Sequence, residues 1–193
     1  MTVTATKIGK PSLASFEAQL RDIEEDAKDL CADLTPKQLT QRPLSGGWSV
    51  QECLAHLNVT GELYLEKLEP LIDATKASDK ESNRPLRYGL LGGLFIRSQE
   101  PPVRRRVEAP QVFRPVSALD EAALPTFLAL QTRIRGLLRR ADGLPLNRLT
   151  ISSPASKWLR MSATEAFGLL LAHERRHLWQ ARQVKNEINR VAL

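Results

Sequence analysis

The chain has 193 residues, of which 28 are lysine or arginine and 22 are aspartate or glutamate, so its net charge is +6. This length fits one domain with a sizeable core, and no stretch approaches the roughly 18 apolar residues that a membrane span needs. The basic residues are scattered, and no aromatic-rich basic helix gathers them, so we expect no direct nucleic-acid binding. Two cysteines are too few for a disulfide framework.

The amino terminus has no apolar signal core, which predicts a flexible tail over residues 1–11 and a cytoplasmic protein. Residues 12–190 are predicted to form a single helical domain. A first helix is expected over residues 13–34, because apolar side chains recur there every three or four positions. A short helical turn follows over residues 35–39, opened by Thr35 and Pro36.

A second helix is predicted from Ser49 to about Ala74. Ser49 and Glu52 form the pattern of a capping box, in which each side chain binds the backbone N–H of the other. Pro70 predicts a kink or break near the end of this helix. His56 lies at the edge of its apolar arc.

Residues 75–116 show no sustained periodicity and contain several glycines and prolines. The apolar residues 90–96 predict a packed segment in this stretch, which could be a short helix. Long irregular connections in compact domains often cover functional sites, so residues 86–116 are the predicted cover of the site.

A third helix is predicted over residues 117–141, with its regular part beginning at Pro125 and a stop at Gly143. A second capping box, Ser162 with Glu165, opens a fourth helix that reaches about Ile188. No convincing strand pattern appears. The expected fold is therefore all-α, a four-helix bundle with a long connection between its second and third helices.

The fourth helix carries the most informative motif. His173 and His177 are four residues apart and fall in the middle of its inward apolar stripe, a spacing that suits two imidazole ligands of one metal ion. The chain has one other histidine, His56. Periodicity alone leaves two readings open, a metal site or hydrogen-bonded core histidines.

The same residues match His-Glu-x-x-His, the zincin protease signature, in which the glutamate activates water. Zincins need a third ligand downstream, and only sixteen residues follow His177. Glu174 points toward the edge of the stripe, where it would be a surface acid or an acid behind the ligands. The protease reading is therefore the weakest alternative.

Two motifs make the chain resemble the DinB/YfiT-like metalloenzymes. The first is residues 47–57, Gly-Trp-Ser-Val-Gln-Glu-Cys-Leu-Ala-His-Leu, similar to the family's second-helix start. The second is His173-x-x-x-His177-x-x-Gln180, similar to its fourth-helix signature. Helix order and spacing agree over residues 13–184. The chain departs from the commonest form at Leu178 and Trp179, where arginine and glycine are frequent.

The resemblance implies a four-helix bundle in which His56, His173 and His177 bind one divalent metal, zinc or nickel. It also implies a homodimer and a thiol-dependent activity, since members with assigned activities use low-molecular-weight thiols. Three neutral imidazoles leave the metal its full charge and open positions, as in catalytic sites.

We therefore expect a metal-dependent enzyme acting on a small molecule, either a thiol-dependent S-transferase or a hydrolase. Gln180, Glu174 and Glu52 are the candidate acid, base or ligand-orienting groups, although Glu52 also fits a purely capping role. Cys53 could serve as an alternative metal ligand, but a buried structural thiol is the better interpretation of this residue. The remaining alternative is a non-catalytic, metal-binding module that dimerises.

Overall fold

Four long helices dominate the part of the chain that the computed structural model describes, residues 10–76, 84–103, 108–114 and 122–191. In chain order the elements are α1 (Leu13–Ala32), α2 (Pro36–Thr40), α3 (Val50–Asp73), α4 (Leu90–Gln99), a 3₁₀ turn (Gln111–Phe113), α5 (Ala123–Arg140), β1 (Thr150–Ser153), β2 (Ser156–Ser162) and α6 (Ala163–Val191). The flexible tail predicted for residues 1–11 lies almost wholly outside the described residues.

Helices α1, α3, α5 and α6 form the predicted four-helix bundle. Both α1 and α3 pack against α5 and against α6. This pattern places α1 and α3 at opposite corners, with α5 and α6 on the other diagonal. The core includes Phe16 of α1 and Phe167 of α6, whose ring centroids are 6.0 Å apart. The long connection between α3 and α5 contains α4 and the 3₁₀ turn. None of the described helices is long and apolar enough to cross a lipid bilayer.

The helix ends follow the sequence signals closely. The Ser49–Glu52 capping box opens α3, and the Ser162–Glu165 box has both reciprocal hydrogen bonds at the start of α6. Gly143 adopts a φ of 73° after α5, which a glycine tolerates without strain. Helix α3 continues through Pro70 to Asp73, so of the kink or break expected there the break does not occur.

The start of α5 also differs slightly from expectation. The helix begins at Ala123, two residues before Pro125. A proline is tolerated there because the first N–H groups of a helix have no partner within it. The earlier part of the predicted helix, residues 117–121, lies outside the described residues.

A two-stranded antiparallel hairpin separates α5 from α6, where no strand was expected. Its only buried apolar residues are Ile151 and Met161, which are register partners. Trp158 and Leu159 of β2 are exposed. One buried apolar position per strand does not produce the apolar alternation that identifies a strand, and this is why the hairpin is missed.

Helix α4 confirms a short helix in the irregular connection and packs along α6. Two glycines leave room for side chains where α4 and the residues before it meet α6, because a Cβ on Gly92 would lie 2.1 Å from Glu165 Oε1 and one on Gly168 would lie 2.4 Å from the Tyr88 hydroxyl. The outer side of α4 is an exposed apolar face made of Leu90, Leu91, Leu94 and Phe95. We refer to these four residues as the α4 face.

Candidate metal centre

The three histidines meet at the seam between α3 and α6. His56 projects from α3, and His173 and His177 project from adjacent turns of α6. The ligand atoms that the three rings offer lie within 4.8 Å of one another, and this is the one cluster of three or more possible metal ligands in the described part of the chain. The sequence predicts that His173 and His177 lie side by side on α6. That His56 lies next to them depends on the packing of α3 against α6, which helical spacing does not predict.

Hydrogen bonding fixes which nitrogen of His56 carries a proton. Its Nδ1 lies 2.6 Å from the carbonyl oxygen of Phe113, which can only accept, so Nδ1–H donates to it. In the neutral ring Nε2 then has a free lone pair. That Nε2 lies 2.9 Å from Nε2 of His173. The buried Nδ1 of His177 has no hydrogen-bond partner.

All three imidazoles are held in their neutral form. Burial lowers the pKa of His56, and burial together with the charges of His56 and Arg176 lowers that of His173 from 6.5 to about 3. The pKa of His177 falls well below its usual value, chiefly through burial and then through His173, His56 and Arg176, while a contact with Gln180 opposes the shift. Neutral imidazole is the form that binds metal ions.

The distance between His56 and His173 suits a shared metal ion. At the usual metal–nitrogen distance of about 2.0–2.1 Å, two ligand nitrogens are about 2.9 Å apart at a right angle and about 3.3 Å apart at a tetrahedral angle. The 2.9 Å between His56 and His173 falls in this range. A cation bound through Nδ1 would also give that unpaired nitrogen of His177 a partner, and such a partner is what a buried polar group requires. The residues present therefore fit a divalent metal.

Two aromatic residues enclose the histidines. The Trp48 ring lies 4.8 Å from His56 and 5.9 Å from His177, between centroids. The ring of Phe113 meets His56 edge-on at 6.5 Å. Neither residue was assigned a role from sequence. Trp48 stood out beside the capping box, but Phe113 contributes a main-chain carbonyl, which no side-chain motif reports.

Glu174 lies inside the bundle, fully buried, so its expected position at the edge of the stripe is wrong. Its Oε1 accepts a 2.9 Å hydrogen bond from Nε2 of Gln131 on α5, across the diagonal of the bundle. Glu174 Oε2 and Gln131 Oε1 have no partner. Burial raises the pKa of Glu174 from 4.5 to about 7, although Gln131 and Arg175 oppose the shift. A proton on the Glu174 carboxyl group would supply a hydrogen-bond donor among these two buried acceptor atoms, neither of which has a partner.

Glu174→Gln should therefore stabilise the protein above neutral pH. The folded state holds the Glu174 proton up to about pH 7 and the unfolded chain only to about 4.5, so stability present at acidic pH is lost as pH rises through 7. A shift of this size corresponds to roughly 3 kcal/mol, which the neutral amide should recover at about pH 8 but not at about pH 4. Urea unfolding at both pH values measures the effect.

The matched control for this prediction is Glu66→Gln, since Glu66 is an exposed glutamate on α3. It should leave the free energy of unfolding nearly unchanged at both pH values. An equal gain from Glu174→Gln at acidic and alkaline pH would show that relief of a buried charge is not its cause.

The other singled-out residues lie in different surroundings. Glu52 caps α3 and forms an ion pair with Arg42, which with Ser49 lowers its pKa against the effect of burial. Gln180 is half-buried one turn beyond His177 and contacts it. Cys53 is buried, burial raises its pKa, and it is not in the histidine cluster. Arg175 is half-buried and pairs with Glu100, the residue that follows α4.

Comparison with known proteins supports the fold described above. The model of the DinB superfamily matches residues 19–181. The chain is similar in fold to YfiT from Bacillus subtilis, described as a probable metal-dependent hydrolase with an unusual four-helix bundle topology; the two share 17% identity and a TM-score of 0.59, over 97% of this chain and 94% of that one. No curated protein matches the chain.

Proposed function

Because this chain belongs to the DinB superfamily, we propose that it is a metal-dependent enzyme whose metal ligands are His56, His173 and His177. One observation carries the proposal: three neutral imidazoles from two helices, two of them buried and that of His173 half-buried, converge with ligand atoms within 4.8 Å of one another. Without a metal, the buried Nδ1 of His177 stays unpaired, which costs free energy.

The reaction we propose is attack by an activated nucleophile on a small-molecule substrate. A bound divalent metal, zinc or nickel, would supply Lewis acidity that lowers the pKa of a coordinated water or thiol. The Phe113 carbonyl holds the His56 tautomer that leaves Nε2 free to bind. Gln180 lies where it can orient a ligand beside His177. Hydrolysis is the first candidate, since YfiT is described as a probable hydrolase, and thiol-dependent S-transfer is the second.

The protease alternative has little support in the geometry. The third histidine comes from α3, upstream of the motif, whereas zincins use a downstream ligand. Glu174 pairs with Gln131 inside the bundle, so it does not face a site that water could enter. A general base must reach the proton that it abstracts.

The α4 face supports the homodimer as a further proposal. Leu90 and Leu91 are 82% and 81% exposed, and contiguous exposed apolar side chains often mark an interface. This face also keeps the non-catalytic dimerising module as an alternative function. The dimer is tested by measuring the molecular mass of the wild type and of a variant with Leu91 and Leu94 replaced by serine, using sedimentation equilibrium.

The cytoplasmic location stays a prediction.

Activity of metal-loaded and metal-stripped protein tests the enzymatic proposal. We expect hydrolysis of small ester or amide substrates, or consumption of a low-molecular-weight thiol by an electrophile, that chelation abolishes and added Zn²⁺ or Ni²⁺ restores. A Glu66→Gln variant should behave like the wild type. Metal-independent activity, or none across both panels in protein shown to bind metal, would favour the non-catalytic module.

A further inference from the structure

A cavity lies at the start of α6, away from the histidines. Its volume is about 600 Å³, and its walls are residues 84–89, residues 144–148, Ser162 and Glu165. Cavities of roughly 300–1,000 Å³ are the usual size of small-molecule sites. None of the three histidines lines this one. Glu165 precedes His173 by eight residues, which is about 12 Å along a helix, so the cavity is separate from the metal centre.

Side-chain hydrogen bonds hold the walls of the cavity together. Asn147 joins two of the walls, since its Nδ2 donates to the carbonyl oxygen of Pro85 and its Oδ1 accepts from the backbone N–H of Arg87, both at 3.0 Å. Glu165 joins the start of α6 to Gly89, whose backbone N–H donates to its Oε1 at 3.0 Å. The cavity is therefore formed before a ligand arrives, and a preformed site loses less affinity to the ordering of its own residues.

Positive charge dominates the lining of this cavity. Three arginines, Arg84, Arg87 and Arg148, accompany a single acid, Glu165, so the formal charge of the lining is +3 − 1 = +2. The second oxygen of Glu165, Oε2, accepts from the N–H and the hydroxyl of Ser162 at 2.8 Å, so both carboxylate oxygens are engaged. Arg148 has an interaction of its own, but the guanidinium groups of Arg84 and Arg87 have no carboxylate or carbonyl partner in the described part of the chain.

Apolar side chains complete the lining. Leu144 and Leu146 are buried and Leu86 is half-buried, and all three face the same cavity as the arginines. A guanidinium matches the oxygens of a carboxylate or a phosphate through parallel N–H bonds. Small-molecule sites typically combine such a polar anchor with an apolar lining. The ligand that complements these walls therefore carries both a negative charge and an apolar part.

We propose that this cavity binds a small organic anion, whose oxyanion is held by Arg84 and Arg87 and whose apolar part packs against Leu86, Leu144 and Leu146. A carboxylate and a phosphonate or phosphate share this chemistry. The inference goes beyond the proposed function and does not rest on the metal centre, because no histidine takes part in it. The long connection between α3 and α5 contributes a binding site of its own through the residues before α4.

Titration of the protein with phenylacetate and phenylphosphonate, followed by isothermal titration calorimetry, tests the proposal. Neutral phenylacetamide lacks the charge, and inorganic phosphate lacks the apolar part. At least one of the two organic anions should bind more tightly than both of these control compounds, and the tighter of the two identifies the preferred oxyanion. In NMR spectra, the backbone amide signals of Arg87 and Gly89 should shift on binding, since both residues lie in the cavity wall.

Replacing Arg84 and Arg87 together with glutamine should weaken binding by about tenfold or more, the usual effect of losing hydrogen bonds to a charged group. The matched control replaces Arg97 and Arg190 with glutamine. Both are exposed arginines outside the cavity, so the net charge changes equally, and binding should stay at the wild-type level.

Three results would overturn the proposal. The first is that neither organic anion binds at millimolar concentration, and the second is that phenylacetamide binds as tightly as the anions. The third is that the two double variants behave alike. Signals that shift around His173 and not in the cavity wall would place the anion at the histidines and contradict the proposal equally. Metal content is measured separately, so a failure here leaves the proposed metal centre unaffected.

Discussion

Replacing His177 with alanine should reduce the metal content of untagged protein from about one Zn²⁺ per chain to nearly none. The substitution leaves only His56 and His173, and two imidazoles do not hold a divalent ion against dialysis. Loss of a residue behind the ligands typically costs about 10–100-fold in metal affinity, and loss of a ligand itself should cost more. Elemental analysis after dialysis and competition with a chromophoric chelator measure both stoichiometry and affinity.

The control for this prediction is Asn186→Ala, an exposed position on the same helix, which should retain wild-type metal content. Circular dichroism of each variant separates loss of a ligand from loss of the fold. If His177→Ala is helical and still carries one ion per chain, the metal is bound elsewhere and the three-histidine site is wrong. A variant of His56 should behave like His177→Ala, although the two residues are far apart in sequence.

Metal-free protein should lose stability steeply as pH falls from about 6.5 toward 3. The unfolded chain binds a proton on His173 near pH 6.5, whereas the folded state does so only near pH 3. Acid therefore favours the unfolded state throughout this window, and stability that is fully present above pH 6.5 disappears below it. For His173 alone the shift corresponds to roughly 5 kcal/mol. Urea unfolding at a series of pH values measures it.

Glu174 opposes this trend, because its raised pKa makes the folded state more stable as pH falls from 7 to 4.5. The measurement is cleaner in the Glu174→Gln background, where the opposing titration of Glu174 is removed. Adding His173→Asn to that background should make the profile between pH 6.5 and 3 clearly less steep. A profile equally steep with and without His173 would mean that other groups cause the acid sensitivity.

The sequence predicted the parts of the fold that local chemistry determines. Capping boxes gave the starts of α3 and α6, and apolar periodicity gave the four helices of the bundle. The hairpin was not predicted because its strands share a single buried apolar pair, Ile151 with Met161. The hairpin packs against α3 and α6, and no local pattern encodes these contacts.

The residues of the candidate site were also predicted only in part. The pair on α6 follows from helical spacing, and the resemblance to a known family supplied His56. The direction of Glu174 was wrong because a helical wheel with one inward stripe does not describe α6, which is covered by α1, α3 and α4. Gln131 was detectable in principle, since it is a polar residue within the buried stripe of α5.

The hydrogen bond from His56 to Phe113 has a consequence for how this protein can diverge. The acceptor is a main-chain oxygen, which every amino acid carries, so the contact demands no particular residue type at position 113. The contact does require that the backbone at position 113 direct its carbonyl oxygen toward His56. Insertions or deletions around Gln111–Phe113 should thus disturb the histidine cluster more than most point substitutions do. In this stretch the length of the connection matters more than the identity of its residues.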